Sequence, residues 1–375
     1  MAWLTATYLI ESDAAHIEAR AQALAIEQSV ECPLEAVRDQ RIRDEVVARV
    51  AEIVPAGDGR FRVDVRIAVE TTCHEPAQFV NMVFGNCSLW EDVQLVDFDL
   101  PPELLARFGG PRHGIAGVRA LVDAPYRALT SVAMKPQGLP TAELARMCRT
   151  FASAGIDIVK DDHGIADQPC SPFAERVPAC QAAIAQAVAA TGKPSFYAPH
   201  LIGTPRVLRE RARIARDAGV RLVLVAPMVV GLPAFADLVD EFPELVYLAH
   251  PSFGGAARIA PALLFGRIFR LLGADAPIFV NYGGRFGYSR DECGALAAMA
   301  RAAWGNVRPA LPVPAGGMRL DRVDELLAFY GSDTMLLIGG NLLLAEGDAL
   351  FARAREFVSS VERSSPVAGS VISRR

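Results

Sequence analysis

All but three of the 38 basic residues in this 375-residue chain are arginine, the exceptions being Lys135, Lys160 and Lys193. A sequence so biased uses arginine wherever a fixed positive charge is enough, so a retained lysine points to chemistry that a guanidinium cannot perform. A buried ε-amine can lose its proton and then act as a base, take up carbon dioxide as a carbamate, or form a Schiff base. Lys135 and Lys160 each close an apolar, β-like run, in Leu129-Thr-Ser-Val-Ala-Met-Lys135-Pro136 and Gly155-Ile-Asp-Ile-Val-Lys160-Asp161-Asp162-His163. Lys193 precedes a strand pattern instead of ending one, and is read as serving stability.

The second run carries the most chemistry. Alternation along a strand puts Lys160 and Asp162 on one face and Asp161 on the other. By spacing alone, Lys160 and Asp162 are expected to form an ordinary ammonium–carboxylate pair. A carbamate on Lys160 would instead be an anionic oxygen ligand, able to hold a divalent metal together with Asp162 and His163, but spacing does not select that state.

From Leu129 onward the sequence alternates short β runs with amphipathic helical stretches. Strands are predicted at Leu129–Met134, Asp157–Lys160, Ser195–Pro199, Leu222–Ala226, Val246–His250, Ile278–Asn281, Ala310–Pro314 and Met335–Ile338. Helices are predicted at Thr141–Ala154, Phe173–Ala190, Pro205–Ala218, Ile259–Leu272, Arg290–Trp304, Asp321–Tyr330 and Asp348–Glu362. Eight strand–helix units are the arithmetic of a (β/α)8 TIM barrel, expected over 121–363. Residues 1–120 mix strands (Trp3–Ile10, Phe61–Val69, Val93–Phe98) with helices (Asp13–Gln28, Glu75–Phe84), which predicts an N-terminal α+β, ferredoxin-like domain. A flexible tail is expected at 364–375.

In such a barrel the active site lies at the C-terminal ends of the strands. Those ends carry Lys135, the Lys160–His163 run, His200, Pro227-Met228, His250-Pro251-Ser252, Asn281-Tyr-Gly-Gly-Arg285, Gly316-Gly317 and Gly339-Gly340-Asn341. Glycine pairs after strands seven and eight can expose backbone N–H groups to a phosphate, or can simply be tight turns. Gly283-Gly284 before Arg285 reads either as a mobile loop that brings a cation to a substrate or as a surface turn.

Composition narrows the function classes. A net charge of -5 with scattered arginines argues against a nucleic-acid surface, and no apolar stretch reaches transmembrane length. Seven cysteines without a CxxC pair fit reduced thiols in a cytoplasmic protein, with neither a disulfide frame nor a zinc site.

The run Gly155–His163, preceded by Met134-Lys135-Pro136, resembles the RuBisCO large-subunit superfamily, and the similarity extends over nearly the whole chain. That resemblance implies a carbamylated lysine (N6-carboxylysine) at Lys160, binding Mg2+ or Mn2+ with Asp162 and His163. It further implies proton handling by Lys135, assistance at a substrate hydroxyl by His250, and phosphate binding by Gly316, Gly317, Gly339 and Gly340. Glu27 and Asn86 match residues that enter a partner subunit's site, which implies a homodimer with shared active sites. Departures are equally informative: His163 replaces an acidic ligand, Gln137 a second lysine, and Pro251 a phosphate-binding arginine. The strand-six loop lacks the lysine that serves the gaseous substrate. The chain therefore resembles a RuBisCO-like protein (form IV), with enolising residues kept and carboxylation residues changed.

Such residues stabilise an enediolate on a phosphorylated sugar or sugar acid. Of the reactions this allows, decarboxylation of a β-keto acid such as 3-oxo-isoapionate 4-phosphate is expected first. Neutral His163 leaves the metal site less negative, and Arg285 offers a fork for a substrate carboxylate. The alternatives are isomerase or enolase chemistry on methylthio-ribulose or diketo-methylthiopentyl phosphates, for which Met228, Phe253 and Phe286 could line an apolar pocket, a transcarboxylase with hydrolysis, and a non-catalytic regulator on the same scaffold.

Overall fold

A computed structural model describes residues 2–364 of the chain, in two compact units. The expected tail beyond 364 lies outside the described residues. The first unit is built from 2–109, 254–264 and 305–307, the second from 110–253, 265–304 and 308–364.

The first unit holds an antiparallel sheet of β1 (Trp3–Glu11), β2 (Arg49–Gly57), β3 (Arg60–Ala68) and β4 (Val93–Asp99), in the order β2-β3-β1-β4. Strand β1 buries Leu4, Ala6, Tyr8 and Ile10 on one face, the period-two signature of a half-covered sheet. Helices Ile17–Glu27 and Pro76–Phe84 accompany it, and Tyr8 donates its hydroxyl to the Val83 carbonyl at 2.6 Å. Strand β2 was not anticipated. It is an edge strand with no buried residue, two register shifts and Pro55 within it, so it carries no hydrophobic alternation to read.

The second unit holds β5 (Leu129–Met134), β6 (Ile158–Asp161), β7 (Phe196–Ala198), β8 (His200–Leu201), β9 (Leu222–Val225), β10 (Val246–Ala249), β11 (Ala276–Val280), β12 (Val313–Ala315) and β13 (Met335–Ile338). All pair in parallel, as β13-β5-β6-β7 and β12-β11-β10-β9-β8. The two arcs close into a barrel: the Leu224 N–H reaches Pro199 O at 2.9 Å, and the Met335 N–H reaches Pro312 O at 3.1 Å. The third strand departs from expectation. Pro199 has no N–H to give, so the strand splits into β7 and β8, and it continues to Leu201 instead of stopping at Pro199. His200 is thereby part of the barrel wall. The expected helix Ile259–Leu272 is likewise interrupted by a π-turn at Leu264–Ile268. Helix Leu232–Glu241, opened by Gly231 and Pro233, was not foreseen.

Leu129, Ala133, Ile158, Ala198, Leu222, Leu224, Leu248, Ile278, Val313 and Leu337 fill the barrel interior. Register aligns Ala133, Lys160 and Ala198 across β5, β6 and β7, so two small side chains flank the lysine. Alternation then brings Lys135, Asp162 and His200 to the next row toward the mouth.

Asp161 points the other way, as alternation requires. It is fully buried, accepts from Tyr197 Oη at 2.8 Å and from the His200 N–H at 3.1 Å, and pairs with Arg176 Nη2 at 3.3 Å. Arg176 also donates to Ala166 O at 2.6 Å and Ser171 O at 2.7 Å, tying the loop after β6 to the strand. Removing one partner of a buried ion pair strands the other charge, at a cost of about 3–5 kcal/mol. Arg176→Met is therefore expected to lower unfolding free energy by about that amount in urea titrations; a loss well under 1 kcal/mol would mean that the pair anchors nothing.

Candidate functional site

The barrel mouth collects Lys135, Lys160, Asp162, His163, His200 and His250. Lys160 is 2% exposed, and its Nζ donates a hydrogen bond to the Asp161 carbonyl at 2.9 Å. The expected Lys160–Asp162 pair does not form. Lys135 takes Asp162 instead, Nζ to Oδ1 at 2.5 Å, because the longer reach from the mouth row brings its ammonium to the carboxylate while Lys160 stays sunk among alanines.

This arrangement sets the protonation chemistry. Desolvation lowers the Lys160 ammonium to about 8, with the Lys135 charge adding to the effect and Asp162 and Asp161 opposing it. Burial would raise the Asp162 carboxyl, but hydrogen bonds with His163 and Lys135 and the nearby Lys160 charge hold it well below the usual carboxylate range. His163 Nδ1 lies 3.5 Å from Asp162 Oδ1. Its ring stacks on His250, centroids 4.4 Å apart and planes 16° from parallel, and His250 Nδ1 lies 2.7 Å from Ser252 Oγ. Desolvation, reinforced by Lys160 and His163, pushes His250 down to about 2, and desolvation with Lys160 pushes His200 down to about 3. Both imidazoles are neutral at physiological pH.

Among the described residues no group of three or more His, Cys, Asp and Glu side chains is arranged to hold a metal ion. The expected set of Lys160, Asp162 and His163 fits a hard divalent cation only if Lys160 supplies an oxygen. A buried amine with a lowered pKa and no carboxylate partner at hydrogen-bonding distance is suited to that change.

The glycine pairs behave differently from one another. A Cβ on Gly317 would lie 2.9 Å from both Gly284 Cα and the Arg285 nitrogen, and one on Gly284 would meet Gly316 O at 2.0 Å. Gly316 and Gly317 therefore let the strand-seven and strand-six loops pack main chain against main chain, with φ of 84° and 89° that also favour glycine. A Cβ on Gly339 would sit 3.7 Å from Lys135 Cε, while one on Gly340 would meet nothing within 4 Å. The open backbone lies beside Lys135. The strand-six loop is tied down at its start, since Arg322 Nη1 reaches Tyr282 O at 3.2 Å and Gly283 O at 3.4 Å. Arg285 itself is exposed beside the Phe286 ring, 5.5 Å from its centroid. Asn281, also on the rim, is buried and structural, accepting from Tyr330 Oη at 2.6 Å.

In the first unit Glu27 and Asn86 meet, Asn86 Nδ2 donating to Glu27 Oε1 at 2.9 Å. Sequence reasoning placed His200 on the rim without a role and missed Arg176 and Tyr197. The signal for Arg176 was present: Phe173, Arg176, Val177 and Cys180 share one helical face, so an arginine stands on an apolar stripe.

This chain belongs to the RuBisCO large-chain family: residues 114–344 match "Ribulose bisphosphate carboxylase large chain, catalytic domain". Within that family its similarity is to RuBisCO-like proteins. It is 53% identical over 355 residues to "Ribulose bisphosphate carboxylase-like protein 1" of Rhodopseudomonas palustris, covering 95% of this chain and 96% of that one. It is 50% identical over 359 residues to "5-methylthioribulose-1-phosphate isomerase" of Rhodospirillum rubrum, covering 96% of each. A crystal structure of a Rubisco-like protein from Rhodopseudomonas palustris superposes with a TM-score of 0.90 at 49% identity, covering 96% of this chain and 98% of that one. No helix among the described residues is long and apolar enough to cross a membrane.

The lowered Lys160 pKa makes stability depend on pH. Between about 8 and the ordinary value of 10.5 the unfolded chain binds a proton that the folded chain does not, so unfolding free energy rises with pH across that window. In carbon-dioxide-free buffer, the stability difference between the parent and Lys160→Met should shift in the parent's favour from pH 8 to 10, measured by urea titration. A difference that is flat with pH would place the lysine's folded pKa at its ordinary value.

Proposed function

We propose that this protein enolises a phosphorylated ketose and moves a proton between neighbouring carbons, as an isomerase of the 5-methylthioribulose 1-phosphate class. The observation that carries the reading is the Lys135–Asp162 pair at the barrel mouth beside the open Gly339–Gly340 backbone. It puts a proton carrier next to a place where a phosphate can approach main-chain N–H groups. The 50% identity to a protein named as that isomerase supports the same class.

In this reading Lys135 removes a proton from the carbon next to the substrate carbonyl, and the electron pair forms a carbon–carbon double bond as charge moves to oxygen. Returning a proton to the adjoining carbon completes the isomerisation. Carbamylated Lys160, Asp162 and His163 are the residues that would hold a magnesium or manganese ion, which would supply Lewis-acid polarisation of the substrate oxygens. Neutral His250, fixed by Ser252 and by the His163 stack, hydrogen-bonds a substrate hydroxyl without adding charge. Gly339 and Gly340 receive the phosphate, and Gly316 and Gly317 shape the neighbouring loop. The exposed rings of Phe253 and Phe286 offer apolar contact to a methylthio group. Glu27 and Asn86 are assigned to the site of a second copy in a homodimer.

Decarboxylation of 3-oxo-isoapionate 4-phosphate, the reaction expected first from the sequence, would bring a substrate carboxylate to the site, which Arg285 is expected to receive. Arg285 is exposed and stacks beside Phe286, so it offers no preformed clamp. Proton transfer needs no such group, and the assignment moves to the isomerase.

With 5-methylthioribulose 1-phosphate in deuterated water, NMR should show deuterium entering the carbon beside the carbonyl as the isomer forms. Lys135→Met should lower kcat by about 10²–10⁴-fold with little change in KM. No exchange on this substrate, together with carbon dioxide release from the β-keto acid, would replace the isomerase with the decarboxylase.

Gly340→Val separates the phosphate role from a turn role, since its Cβ enters open space and the fold should hold. KM for phosphorylated substrates should rise about tenfold or more, the loss expected for a charge-assisted hydrogen bond. Gly317→Val would instead collide with the Gly284 main chain and mix both effects.

A further inference from the structure

His200 is completely buried, and neither ring nitrogen has a hydrogen-bond partner. The Ile165 main chain faces the ring and favours its protonated form, but it is not in hydrogen-bonding geometry. Buried polar groups are almost always satisfied, so an imidazole left bare in a barrel wall calls for a partner that the unmodified chain lacks.

Its position identifies the partner. His200 pairs in the ladder with Leu224, which belongs to the barrel interior, so the ring is turned inward. Ala198, two residues before it, pairs with Lys160. The ionisable groups that act on the ring are Lys160, His163 and Asp162. Its backbone is held in place by the Asp161 carboxylate, which accepts the His200 N–H at 3.1 Å. Ala133 and Ala198, the register neighbours of Lys160, put only small side chains on either side of it.

We propose that His200 donates a ring N–H to an oxygen of the carbamate formed on Lys160 and so acts as the positioning residue for that group. The inference rests on the reading of Lys160 as a carbamate. In that reaction the lone pair of neutral Nζ attacks the carbon of carbon dioxide. A C–N bond forms, one C=O electron pair becomes carboxylate charge, and the nitrogen releases a proton to solvent. The new anion needs a donor in a site from which water is excluded. A neutral imidazole satisfies one oxygen while leaving the negative charge available to a divalent cation, whereas an arginine or lysine in the same place would compete with that cation. Asp161 cannot compete for the ring, because its carboxylate is committed to Arg176, Tyr197 and the main chain.

The test is the carbamate carbon signal in 13C NMR of the full-length protein with 13C-bicarbonate and magnesium, which reads the group directly and not through turnover. His200→Phe keeps a ring and removes the donor, and should lower the carbamate population about tenfold or more at limiting bicarbonate. His200→Asn restores an N–H and should recover part of it. Should His200→Phe fail to fold, the parent labelled with 15N-histidine provides the second reading: one imidazole N–H signal should move when bicarbonate is added, and should not move in Lys160→Met. Equal carbamate in the parent and His200→Phe, an equal loss in the Phe and Asn variants, or no imidazole response would each overturn the inference. No carbamate in the parent would overturn it together with the Lys160 ligand reading. A normal parent signal untouched by His200→Phe would overturn it alone and leave the enolisation reading standing.

Discussion

The buried pair between Asp161 and Arg176 is the constraint on which the rest of the site depends. Both side chains are fully buried, so the strand register at β6 cannot slip by one residue without separating two buried charges from each other. Fixing Asp161 outward forces Lys160 inward and Asp162 toward the mouth. The same guanidinium holds the carbonyls of Ala166 and Ser171, so the loop carrying His163 is ordered by the interaction that sets the strand. One arginine on a helix thereby places three groups at the end of a strand.

Burial then puts two similar lysines in different surroundings. Lys135 stands at the mouth and pairs with Asp162. Lys160 lies one row deeper between two alanines, where the nearby Asp162 and Asp161 only partly offset the loss of water, and its proton is held weakly. The carboxylate between them is fully ionised and shared with His163. The site thus sets one weakly protonated amine and two neutral imidazoles around a carboxylate paired with Lys135.

The glycine pairs show why a motif is not a role. Gly316-Gly317 and Gly339-Gly340 follow adjacent strands and read alike. The first pair is filled by the neighbouring loop, by its main chain at Gly317 and by the Phe286 ring at Gly316, and the second opens beside Lys135. A phosphate can use only the space that remains.

Much was legible from the sequence, because local patterns report local physics. Apolar β runs and amphipathic helices gave the eight barrel units, with Leu129–Met134 and Met335–Ile338 found to the residue. Alternation around Lys160 correctly sent Asp161 outward, and the scarcity of lysine marked the two amines that reach the mouth. What failed depended on partners distant in sequence. The Lys160–Asp162 pair was inferred from spacing, but Lys135, 27 residues before Asp162, took the carboxylate. Edge strand β2 carried no buried face to read, and Pro199 divided a strand that the hydropathy pattern drew as one. The sequence could show that His200 and Arg176 exist near β6; only the closed barrel decided that one would be left without a partner and the other would hold the strand. Burial and hydrogen-bond satisfaction are properties of the packed chain, and no single segment contains them.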